Sequence, residues 1–71
     1  MKSVTWDGRD FAAVQMLLAP ARQRGEPACR LPEGQMSKMQ VWSGGGWVEV
    51  RPGETISIDD EAVITVGDAA G

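Results

Sequence analysis

The stretch Lys38–Val66 (KMQVWSGGGWVEVRPGETISIDDEAVITV) restricts this chain more than any other, because it sets four short β-prone runs between three turn signals. The runs Lys38–Ser43 and Trp47–Val50 are rich in Val, Trp and Met and flank Gly44-Gly45-Gly46. Without a Cβ, those glycines can take the positive φ that a tight hairpin demands. Arg51-Pro52-Gly53-Glu54 has the residue order of a type II turn, with proline pre-setting φ at the second position and glycine free to turn left-handed at the third. Two further runs, Thr55–Ile58 and Ala62–Val66, flank the acidic turn Asp59-Asp60-Glu61. Read together, the runs predict an antiparallel meander.

Strand alternation then sorts the side chains by face. Met39, Val41, Val48, Val50, Ile56 and Ile58 are expected on the core side. Gln40, Trp42, Trp47, Glu49, Thr55 and Ser57 fall on the other side. The fourth run alternates less cleanly, and its register is left open, as is the placement of Trp6, Trp42 and Trp47 in core or surface.

Upstream, Lys2–Trp6 is a short strand candidate, with β-branched Val4 and Thr5 beside an aromatic. After the Asp7-Gly8 turn, Asp10 is placed to cap a helix, and Phe11, Val14, Leu17 and Leu18 recur at the spacing of one helical face. Pro20 is expected to end that helix. Residues 20–37 hold prolines and glycines without sustained periodicity and read as a connection, with a short strand around Ala28–Leu31.

The expected fold is α+β, a single small domain with one helix packed on a four- to five-stranded antiparallel β-meander. Its expected parts are a strand over 1–6, a helix over 10–19, a connection over 20–37, the meander over 38–66 and a frayed tail over 67–71.

At 71 residues the core is small enough that help from a disulfide, a metal or a partner subunit matters. One cysteine and no histidine exclude an internal disulfide and a zinc site built from several Cys and His ligands. Homo-oligomerisation therefore gains weight. The N-terminus lacks the apolar run of a signal peptide and no stretch resembles a membrane span, so an intracellular protein without membrane partners is expected.

Charge is unevenly spread. Residues 1–36 carry five basic and four acidic side chains, whereas residues 37–71 carry two basic and six acidic ones. An acidic sheet repels phosphate backbones, which argues against direct nucleic-acid binding and suits a basic protein surface.

Trp42 and Trp47 are the informative pair, because indole combines a large desolvatable face with an N–H donor. With Glu49, Asp59, Asp60 and Glu61 they form the predicted partner-binding set. Their simpler role is a cross-strand pair that stabilises the hairpin. A second set, Arg22, Arg24, Arg30 and Arg51, offers guanidinium groups suited to an anionic ligand such as a nucleotide signal, with a tryptophan stacking on its base. Arg22 and Arg24 also lie where a helix C-terminus favours positive charge. No catalytic constellation is visible: Cys29 has no histidine to act as base, and SGGGW lacks the Lys-Ser/Thr ending of a P-loop. The expectation is a non-enzymatic protein with no cofactor and no metal.

The segments TWDGRDFAAVQMLL and VWSGGGWVEVRPGETISID together resemble a loose class of small phage-encoded accessory proteins. Members carry an aromatic-Gly-x-x-Phe-x-x-Val helix start, matched here by Trp6, Gly8, Phe11 and Val14. They later carry a Trp strand leading to a Val-x-x-Gly-Asp-x-Ile turn, matched by Trp47, Val50, Gly53 and Ile56, with Glu54 in place of Asp. The resemblance implies a phage or prophage protein that acts by binding in the cytoplasm of a bacterial host, with blocking of a host immunity component as its role.

Overall fold

A computed structural model describes residues 1–67, so the expected frayed tail lies, apart from Gly67, outside the described residues. The chain is α+β, and its strands form two three-stranded antiparallel sheets rather than one meander. The elements run β1 (Lys2–Thr5), α1 (Phe11–Leu17), α2 (Ala19–Gln23), β2 (Cys29–Arg30), two 3₁₀ turns (Pro32–Gly34 and Met36–Lys38), β3 (Gln40–Ser43), β4 (Gly46–Glu49), β5 (Thr55–Ile58) and β6 (Ile64–Gly67). The first sheet has the order β1-β5-β6 and the second β2-β3-β4.

The meander expectation fails at one turn. Arg51-Pro52-Gly53-Glu54 does form the expected turn, with Gly53 at φ +98 and the Glu54 amide donating to the Arg51 carbonyl at 3.0 Å. It carries β5 away from β4, however, and β5 takes β1 as its neighbour, with Val4 opposite Ile56 and Lys2 opposite Ile58. Trp6 extends that pairing, donating to Glu54 and accepting from Gly53.

The helical region also departs from the single expected helix. Asp10 caps α1 as predicted, its carboxylate accepting from the Ala13 amide at 3.0 Å. Pro20 does not stop the chain from being helical. It occupies the first turn of a second short helix, where a missing amide proton costs nothing. That helix ends on Gly25 at φ +87, with Glu26 donating to the Ala21 carbonyl and Gly25 to Arg22, the bond pattern of a Schellman motif.

Both sheets and the helices share one core containing Trp6, Val14, Leu18, Ala21, Met39, Val41, Val50, Ile56, Ile58 and Ile64. Phe11 and Leu17 flank it half-buried, as the helical stripe predicts. Five of the six aliphatic residues assigned to the core face are buried. Val48 is the exception at 37% exposure, on the terminal strand of its sheet, which has a paired strand on one side only among the described residues. Trp6 is buried, and its indole nitrogen has no hydrogen-bond partner among the described residues.

Candidate functional site

The β3–β4 hairpin builds the centre of the site. Gly44 and Gly45 take φ +62 and +81, the two consecutive positive values of a type I′ turn, whose twist matches that of the strands it joins. Ser43 then stands opposite Gly46, and Trp42 opposite Trp47. The Trp42 amide points away from β4 and donates to the Ala28 carbonyl at 2.7 Å, so the Trp42–Trp47 pair is of the non-hydrogen-bonded kind, in which side chains approach most closely. The rings meet edge to face, with centroids 5.3 Å apart and planes at 80°. Both indoles are half-buried, on the side of the sheet opposite Val41.

Strand β2 adds a cation to this face. Arg30 pairs with Gln40 in the ladder, its Nε donates to Gln40 Oε1 at 2.7 Å, and its guanidinium carbon lies 4.2 Å from the Trp47 ring centroid. Glu49, opposite Gln40 on β4, supplies the carboxylate. The face thus carries two indoles, one guanidinium, one amide and one carboxylate. It is mixed in charge rather than acidic, because the short β2 strand brings a residue from the basic first half of the chain into the sheet.

Beside Trp42 an open groove of about 210 Å³ runs between the hairpin loop and the end of α2, lined by Arg24, Glu26, Gly44, Gly45 and Glu61 among others. Arg24 Nη1 donates to the Glu61 carbonyl at 2.9 Å, tying the α2 terminus to the β5–β6 turn.

The predicted partner set is therefore divided. Trp42, Trp47 and Glu49 share a face, and Glu61 lines the adjoining groove. Asp59 and Asp60 instead line a second groove, of about 380 Å³, together with Met1, Met16, Leu17 and Pro20. Asp59 is moreover occupied within its own turn, where Oδ1 accepts from the amides of Glu61 and Val63, each at 2.9 Å. One oxygen of Asp59 is thus committed to forming the turn, and the residue stands apart from the Trp42–Trp47 face.

The predicted arginine set is also scattered. Arg22 lies near Cys29, where its positive charge partly offsets the burial that pushes the Cys29 thiol up. Arg24 sits between carboxylate-bearing residues in the first groove, Arg30 covers Trp47, and Arg51 belongs to the distant turn before β5, its amide held by Glu54 Oε1 at 2.6 Å. No shared anion cradle results from these positions.

Alternation places Gln40 beside Trp42 on the outer face, and the structure makes it the residue that orients Arg30. The signal for this was the strand expected around Ala28–Leu31, whose pairing with β3 the local sequence does not specify. Among the described residues, no group of three or more His, Cys, Asp or Glu could hold a metal, and no helix is long and apolar enough to cross a membrane. No protein-family model, curated protein or solved structure matches the chain.

Proposed function

We propose that this protein acts by binding alone, docking a protein partner on the outer face of the β2-β3-β4 sheet and so blocking it. The observation that carries this reading is the half-exposed, edge-to-face Trp42–Trp47 pair held under the Arg30 guanidinium. Trp and Arg are the residue types that dominate binding energy at protein interfaces, and a pair fixed in place by a tight hairpin loses little side-chain freedom on docking. The mixed charges of Arg30 and Glu49 at its margin fit a partner that presents both signs. The resemblance to phage accessory proteins supplies the setting: the cytoplasm of a bacterial host, with an immunity component as the blocked factor.

An anionic nucleotide ligand is the weaker reading, since its four candidate arginines do not converge. Stoichiometric capture of a protein from bacterial lysate tests the leading reading. Trp42→Ser should weaken capture by about 2 kcal/mol or more, while Thr55→Ala combined with Ser57→Ala on the other sheet should leave it unchanged. Capture indifferent to Trp42, or a nucleotide that co-purifies with the chain, would replace this reading.

A further inference from the structure

Strand β4 ends its sheet, and its outer edge is unpaired in the described chain. The Val50 amide donates inward to Met39 at 2.9 Å, so the amides of residues 46, 48 and 50 face β3, whereas Trp47 and Glu49 direct their N–H and C=O groups outward. The other edges differ. β1 carries Lys2, a charge that discourages edge pairing; β6 has its Ile64 carbonyl engaged by Ser43 Oγ at 2.7 Å; and β2 is only two residues long.

We propose that β4 pairs antiparallel with β4 of a second copy of this chain, about a two-fold axis at Val48. In that register Trp47 of one copy stands opposite Glu49 of the other as a hydrogen-bonded pair, and the outward backbone groups of both residues are satisfied. Val48 meets its symmetry mate in the close, non-hydrogen-bonded position, which covers its exposed side chain.

Charge selects this register. The Arg30 guanidinium lies over Trp47 and has no carboxylate within ion-pair distance among the described residues. Glu49 of the second copy, placed opposite Trp47, comes to that guanidinium, and the symmetry repeats the contact. A register with Glu49 opposite Glu49 sets like charges against each other. The joined sheet keeps both indole pairs on its open side, so dimerisation doubles the docking face without covering it, and it stands or falls independently of any partner.

Sedimentation velocity of the full chain over a dilution series tests the proposal, with a cooperative urea transition reporting that each variant is folded. The wild-type chain should sediment as a dimer that dissociates on dilution. Glu49→Pro removes an outward amide together with the carboxylate that faces Arg30 of the second copy, leaves the ladder bonds to β3 in place, and should halve the mass. Val48→Lys keeps every amide, places two ammonium groups at the axis, and should do the same should the proline variant fail to fold. Arg30→Glu and Glu49→Arg should each weaken dimerisation about tenfold, two surface ion pairs being lost together, and the double exchange should restore it. A wild-type monomer throughout the series, a dimer that survives Val48→Lys, or a charge exchange that stays monomeric overturns the proposal.

Discussion

The two sheets present the same chemistry inward and opposite chemistry outward. Inside, Val4, Ile56, Ile58, Ile64 and Val66 from the first sheet meet Val41 from the second and Val50 just beyond it. Outside, the ladder of the first sheet aligns Ser3, Ser57 and Thr65 in one row and Thr5 with Thr55 in the next. Short hydroxyl side chains suit a strand and stay hydrated, but they offer little surface to desolvate. The second sheet displays Trp42, Trp47, Arg30, Gln40 and Glu49 instead. One sheet is a foundation with an inert exterior, and the other spends its exterior on groups that gain from being covered. Under the proposed docking, fold and recognition fall to different sheets, which makes them separable by mutation.

The largest expected effect falls on the foundation. Ile56 is fully buried in the central strand of the first sheet, and Ile56→Ala should lower the free energy of urea unfolding by about 2–5 kcal/mol. Val48→Ala, on the open edge of the second sheet, should cost less than about 1 kcal/mol in the same measurement. Equal costs would mean that β4 is part of the foundation too, and the contrast would break.

A smaller effect sharpens the role of the hairpin. Among the described residues nothing lies within 4 Å of the position a Cβ would take at Gly45, so Gly45→Ala meets the backbone penalty of positive φ. It should destabilise by about 1 kcal/mol and, if the turn sets the indole geometry, diminish the Trp42–Trp47 couplet in circular dichroism. An unchanged couplet would show that Arg30, rather than the turn, holds the rings.

The smallest effect concerns pH. Asp7 Oδ1 accepts from the amides of Asp10 and Arg9, each at 2.8 Å, and these bonds hold its carboxyl below its ordinary range. Because the folded chain binds this proton less readily than the unfolded one, the contribution is full above the unfolded pKa and disappears as pH falls through the folded value. Acid should therefore weaken the turn between β1 and α1, and Asp7→Asn should flatten that part of the stability profile. An unaltered profile would remove Asp7 from the foundation.

Features legible in the sequence were those fixed by neighbours along the chain. The Asp10 cap, the Phe11–Val14–Leu17–Leu18 stripe, the Gly44-Gly45 turn and the Pro52-Gly53 turn each depend on a few adjacent residues, and each is present. The Trp42–Trp47 pair followed from the turn. What stayed hidden depends on partners far away in sequence. A type II turn between two β-prone runs looks the same whether the runs pair with each other or diverge, and only the competition from Lys2–Thr5 for β5 decides. The same blindness hid Arg30, which reaches Trp47 only because β2 pairs with β3. Val48 alternates correctly yet is exposed, since alternation says which way a side chain points and not whether anything lies there.

The sealed indole of Trp6 has a practical corollary. With its ring nitrogen sealed from solvent and without a hydrogen-bond partner among the described residues, it should fluoresce at short wavelength and resist aqueous quenchers, whereas the half-buried Trp42 and Trp47 remain open to them. The chain thus carries its own two-colour optical probe: the blue component reports whether the interior is intact, and the quenchable component reports whether the outer face has been occupied.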